Sequence, residues 1–141
     1  MNREDIMKII PHREPMLLID EVFLEEEGEA VGYYHVKGDE FFLQGHFPGN
    51  PIVPGVIQCE MMAQSACVMF KNKMEKEGTL PLYTGLNKVR FKGIIKPGDT
   101  IKIETKLIRE SHPMYLLSGK LSVDGKLCMS GEFSFVIMEE R

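Results

Sequence analysis

From Val56 to Phe70 the chain is apolar on nearly every side, through Val56, Ile57, Cys59, Met61, Met62, Ala63, Ala66, Cys67, Val68, Met69 and Phe70. A helix apolar all round is a buried helix, so this run predicts the central element of the fold. It is expected to extend from Gly55 to Glu77, turning polar only in Lys71-Asn72-Lys73-Met74-Glu75-Lys76-Glu77 and stopping at Gly78. Such a helix would be about 33 Å long.

Alternation marks the rest. Met16 to Leu24 reads as one strand and Ala30 to Val36 as its antiparallel return, with Gly28 in the turn. A short helix from Arg3 to Ile10 precedes them and is stopped by Pro11. After the long helix come four strands, Leu82 to Phe91, Thr100 to Arg109, Met114 to Val123 and Lys126 to Met138. Turn chemistry separates them at Lys96-Pro97-Gly98-Asp99, Ser111-His112-Pro113 and Asp124-Gly125. Ile101, Ile103, Thr105 and Leu107 alternate with Lys102, Glu104, Lys106 and Ile108, which predicts one buried and one wet face. Two strands, a buried helix and four strands form an α+β pattern, an antiparallel sheet curled around one central helix. Such a sheet covers the helix on one side only, and homodimerisation is the economical protection for its edges.

The 141 residues fit a single domain, residues 1–141, with no internal repeat or linker. Hydrophobic residues at 43% and charged residues at 27% are those of an ordinary globular chain. The formal net charge of −4 opposes general nucleic-acid binding, which needs a cationic surface. Cys59, Cys67 and Cys128 form no CxxC pair and read as reduced core residues. No window is apolar enough to span a bilayer and no signal sequence is legible, so a cytoplasmic protein is expected. The four dispersed histidines lack the spacing of a metal centre, and none is expected.

Candidate chemistry lies where the loop Gly45-His46-Phe47-Pro48-Gly49-Asn50-Pro51-Ile52-Val53-Pro54 enters the long helix. Three prolines should hold His46 rigidly, and its imidazole suits a general base near neutral pH. Glu60 sits among apolar helix neighbours, where lost hydration should raise its pKa and let it hold a proton as a general acid. Gln64, one turn later, is placed to hydrogen-bond within the same site. His12 and Arg13 read as structural hydrogen-bonding residues.

Taken in order, Ile10-Pro11-His12-Arg13, Pro15 to Asp20, Gln44-Gly45-His46-Phe47-Pro48-Gly49, Pro51 to Val56, Glu60-x-x-x-Gln64, Arg90-Phe91 and Pro97-Gly98-Asp99 resemble the FabZ-type 3-hydroxyacyl-[acyl-carrier-protein] dehydratases. The resemblance covers essentially the whole chain. It implies the hotdog fold, with a sheet of about six strands around one long helix. It also implies a homodimer, commonly a trimer of dimers, in which His46 of one subunit faces Glu60 of the other. Glu14, Met16 and Met61 depart from the usual family pattern, which bears on pocket shape and leaves the pair intact.

The implied reaction needs no cofactor beyond the substrate's own phosphopantetheine arm on acyl carrier protein. His46 would take the Cα proton of a (3R)-3-hydroxyacyl thioester and Glu60 would protonate or bind the leaving hydroxyl. The residues alone leave the reverse assignment, or a water held by both, open. The thioester oxygen would lie against the backbone N–H groups of Gly55 and Val56 at the helix start, with Gly55 permitting close approach. Phe47, Ile57, Met61, Phe91 and Ile94 are candidates for the acyl tunnel, and Lys88, Arg90, Lys92 and Lys96 for an alternating basic series that steers the acidic carrier protein. The same motif also serves a dehydratase that isomerises trans-2 to cis-3 enoyl products. A thioesterase and a silent acyl-binding subunit fit it less well.

Overall fold

The computed structural model describes residues 1–76 and 78–139. Six strands form one antiparallel sheet: β1 (Glu21–Leu24), β2 (Glu29–His35), β3 (Thr79–Phe91), β4 (Thr100–Ser111), β5 (Met114–Val123) and β6 (Lys126–Glu139). Their order across the sheet is β1-β2-β4-β5-β6-β3. The helix α2 (Gly55–Cys67) packs against β2, β4 and β5, and a short helix α1 (Arg3–Met7) leads the chain, ending three residues before the expected Ile10 because Lys8 to Ile10 already turn. Asn2 and Asp5 close a capping box on α1. The expected alternation in β4 is present, with Ile101, Ile103 and Thr105 buried and Lys102 and Lys106 exposed. At the β5–β6 turn Asp124 (φ 50°) and Gly125 (φ 79°) both take the left-handed backbone of a tight hairpin.

Two further expectations are corrected. The central helix is shorter than the run from Gly55 to Glu77: α2 ends at Cys67 after about 20 Å, and Val68–Lys73 is a 3₁₀ segment kinked at Phe70 (φ −105°, ψ 28°). Phe70 turns into an aromatic cluster, 4.6 Å from the Tyr115 ring centroid and 5.2 Å from that of Phe135. Apolarity therefore continues past the α-helix because the kink is buried too. Glu77, the expected helix end, lies outside the described residues. The second correction concerns Met16 to Leu24, of which only Glu21–Leu24 is a strand. Leu17, Leu18 and Ile19 are buried, but the Leu18 N–H and the Met16 carbonyl bond the side chain of Gln64 on α2 instead of a neighbouring strand.

The sheet approaches α2 closely at Gly32 of β2, where an added Cβ would collide with Ser65 Oγ. That hydroxyl is buried and has no hydrogen-bond partner. Ser65→Ala should therefore leave stability unchanged or raise it by about 1 kcal/mol, since an unsatisfied buried group is removed. Gly32→Ala should cost about 1–3 kcal/mol through overpacking, and less in the Ser65→Ala background. Denaturant unfolding of the two single variants and the double variant measures both effects, and equal costs of Gly32→Ala in the two backgrounds would refute the contact.

Candidate active site

His46 lies in a loop held by its own backbone. The Phe47 and Asn50 N–H groups donate to each other's carbonyls at 3.0 and 2.9 Å, the Ile52 N–H donates to the His46 carbonyl at 2.8 Å, and Val53 N–H bonds Ile95 beyond β3 at 2.8 Å. His46 Nδ1 lies 2.9 Å from the Ile52 carbonyl oxygen. A carbonyl only accepts, so Nδ1 carries the proton, and in the neutral ring Nε2 is then the nitrogen with the lone pair of a base. Phe47 stacks on the imidazole with centroids 4.3 Å apart.

Glu60 projects from the middle of α2 to the opposite partner set. Its Oε1 accepts from Gln64 Nε2 at 2.9 Å and lies 3.3 Å from His12 Nε2. Gln64 is fully buried and satisfied at both ends, taking the Leu18 N–H at 2.8 Å and donating to the Met16 carbonyl at 2.7 Å. Burial pushes the Glu60 carboxyl up, but the hydrogen bonds from His12 and Gln64 and the attraction of His12 outweigh it, leaving its pKa below 4.5. The expectation of a raised pKa is thus corrected, because apolar neighbours report only the desolvation and not the donors that reach in from elsewhere. The partner of His12, expected as a structural hydrogen-bonding residue, is Glu60. The Arg13 guanidinium, as expected, donates to the carbonyls of Met7, Ile10 and His12.

A cavity of about 30 Å³, room for one hydroxyl or water, opens between His12, Glu60, Ala63, Gln64, Cys67, Pro81, Tyr83 and Phe135. His46 is not among its lining residues, and no hydrogen bond or ion pair joins His46 to Glu60 within the protomer. At the start of α2 the N–H groups of Gly55 and Val56 have no backbone partner, and Pro54 offers no side-chain cap. The close approach at Gly55 is made by the protein itself. A Cβ there would lie 2.7 Å from Phe91 Cζ, so the ring of Phe91 occupies the space a side chain would fill. Of the tunnel candidates, Phe47, Phe91 and Ile94 are exposed, Ile57 is partly buried, and Met61 is wholly buried in the core.

The basic series is not the regular alternation expected. A β-bulge between Asn87 and Arg90 breaks the register of β3, and Lys88 takes φ 53°. Lys88 faces a 530 Å³ cavity on the outer side of the sheet among Lys106, Lys120, Glu29, Glu104 and Glu132. Lys92 and Lys96 follow the end of β3.

A FabA-like domain model matches residues 10–132. A 3-hydroxyacyl-[acyl-carrier-protein] dehydratase FabZ of Clostridium beijerinckii is 43% identical over 140 residues, covering 97% of this chain and 99% of that protein. The chain belongs to the FabZ-type, FabA-like dehydratase family. A FabZ of Caldicellulosiruptor bescii is 44% identical over 137 residues, covering 96% and 98% of the two chains. In structure, the dehydratase heterocomplex ApeI:P from Xenorhabdus doucetiae aligns with a TM-score of 0.82 at 22% identity, over 95% of this chain and 91% of that one. The fold of this FabZ-type chain is the hotdog, a six-stranded sheet with one main helix.

Sequence reasoning passed over the His12–Glu60 contact, although the Ile10-Pro11-His12-Arg13 segment had been singled out. Because the folded Glu60 pKa is depressed, its contribution to stability is complete above the ordinary carboxylate pKa and is lost as pH falls through the folded value. Gln64→Met should reduce stability by about 1–3 kcal/mol by orphaning buried backbone groups, and should move the Glu60 titration upward. Carboxyl ¹³C NMR across an acid titration checks the direction, and an unmoved Glu60 would contradict it.

Proposed function

We propose that this chain removes water from (3R)-3-hydroxyacyl groups on acyl carrier protein, giving trans-2-enoyl thioesters in type II fatty acid biosynthesis. The similarity to relatives that carry this activity in their names, over nearly the full length of both chains, carries the reading. His46 Nε2 takes the Cα proton, and its Nδ1–H bond to Ile52 holds the ring in the required tautomer. The unpaired N–H groups of Gly55 and Val56, at the positive end of the α2 dipole, receive the developing charge on the thioester oxygen. Glu60, as a carboxylate, holds the leaving hydroxyl by accepting its O–H, and the proton that His46 Nε2 has taken from Cα passes to that oxygen, so that it departs as water and the imidazole returns to its neutral form. The only prosthetic arm required is the substrate's phosphopantetheine, with no further cofactor, and the enzyme works in the cytoplasm. Among the described residues no helix is long and apolar enough to cross a membrane.

The site is completed by a second copy. Within one protomer His46 and Glu60 face different partners. The thirteen-residue β3 is an edge strand whose Leu82, Leu86 and Phe91 are exposed. Pairing along it would continue the sheet and cover these side chains. Three such dimers assemble into the hexamer. Arg90, Lys92 and Lys96 meet the acidic carrier protein, with Lys88 turned toward the outer face.

Incubation with 3-hydroxyacyl carrier protein followed by mass spectrometry should show loss of one water; free acid would indicate a thioesterase, and unchanged substrate would overturn the reading. Chromatography of the enoyl product separates the trans-2 isomer from a cis-3 product. His46→Ala and Glu60→Ala should each lower kcat by about 10²–10⁴-fold. A mixed dimer of the two inactive variants should regain one working site, whereas continued inactivity would place both residues in one subunit's site.

A further inference from the structure

Both polar contacts of Glu60 fall on the same oxygen. His12 Nε2 and Gln64 Nε2 meet Oε1, at 3.3 and 2.9 Å. Neither group is free to wander. Gln64 is fixed by its bonds to Leu18 and Met16, and His12 sits in a turn whose three carbonyls, Met7, Ile10 and His12, are gathered by the single Arg13 guanidinium. His12 Nδ1 is buried and without a partner. A proton on Nε2, 3.3 Å from Glu60 Oε1, is therefore the one on His12 that can reach the carboxylate.

We propose that His12 is a positioning residue for the reaction: with Gln64 it clamps Glu60 Oε1 and so presents Oε2 as the oxygen that engages the substrate's 3-hydroxyl. The adjoining 30 Å³ cavity, lined by His12, Glu60, Gln64 and Tyr83, has the size of that hydroxyl. A carboxylate clamped through one oxygen loses its freedom to flip, which converts an exposed-acid search into a fixed geometry. The other titratable groups facing Glu60 are Cys59, Cys67 and Tyr83, and burial raises the pKa of each, keeping them neutral. His12 is thus the group that sets the charge state of Glu60 from outside its own helix. The proposal rests on the dehydratase reading for its catalytic consequence and on geometry alone for the clamp.

The test compares His12→Ala, His12→Asn and His12→Gln with the wild type. The Gln amide reaches the Nε2 position and can still donate to Oε1, whereas Asn reaches only the Nδ1 position. His12→Ala and His12→Asn should lose about 10²-fold in kcat with KM changed less than about threefold, as expected of misplacement rather than lost binding. His12→Gln should recover most of that loss. Glu60 should titrate higher in the Ala and Asn variants, because burial then acts with one fewer donor opposing it. Should His12→Ala fail to fold, the contrast between Gln and Asn carries the same information. Unchanged kcat and an unmoved Glu60 titration in His12→Asn would overturn the proposal, as would equal impairment of Gln and Asn. The carboxyl titration needs no substrate, so a wild type that fails to dehydrate would end the functional reading while the clamp itself stood or fell on the titration.

Discussion

The carboxamide of Gln64 is the interaction on which the rest of the molecule turns. A helix buried on every side can carry a polar side chain only if each of its polar atoms finds a partner, because an unpaired buried group costs about 1–3 kcal/mol. Gln64 meets this condition by bonding the backbone of Met16 and Leu18, some four dozen residues earlier, and by donating to Glu60 one turn back. That arrangement withdraws Met16 to Ile19 from the sheet and seats the segment against the helix. It also brings the following and preceding turns of the N-terminal segment, with His12, over Glu60. The satisfaction of one amide thereby fixes the fold of the N-terminal strap and the orientation of the carboxylate together.

The same dependence explains what the sequence could reveal. β4 was legible because it has one wet face and one buried face, and β5 and β6 because their connections carry strong turn chemistry. The end of α2 was not. Hydrophobicity persists to Phe70, and only the packing of that ring against Tyr115 and Phe135 distinguishes a buried kink from a buried helix. Met16 to Ile19 is apolar, as a buried strand is, but its hydrogen bonds to Gln64 go to a side chain, which no periodicity records. The reading of Glu60 as an acid held near neutrality failed for a related reason: local composition gives the desolvation, whereas His12 comes from another part of the chain.

Strand β3 shows a different limit. Leu82, Leu86 and Phe91 give it the composition of a core strand, and the sequence reading placed it in the sheet accordingly. In the protomer these side chains are exposed, at 44%, 52% and 53%. Hydrophobic pattern registers apolar side chains without saying whether the protomer itself covers them. Pro81, lacking an N–H, is tolerated because the strand lies at the sheet edge, and the bulge at Lys88 and Val89 bends the strand away from regular pairing near its end. Any partner strand must therefore pair along the regular stretches of β3.

His46 and Glu60 are fourteen residues apart and point to different surroundings, since one is tied through Nδ1 to Ile52 and the other through Oε1 to the N-terminal strap. Neither tether can be released cheaply. Releasing the loop bonds around His46 or leaving the buried Gln64 amide unpaired would cost about 1–3 kcal/mol for each orphaned group. In the proposed dimer a two-fold partner would remove the conflict, each chain keeping both tethers and offering its histidine to the other's carboxylate. An isologous contact of this kind generates two equivalent sites at once. In the proposed dimer the chemistry is then coupled to association: dilution that separates the subunits abolishes both sites without unfolding either loop or helix.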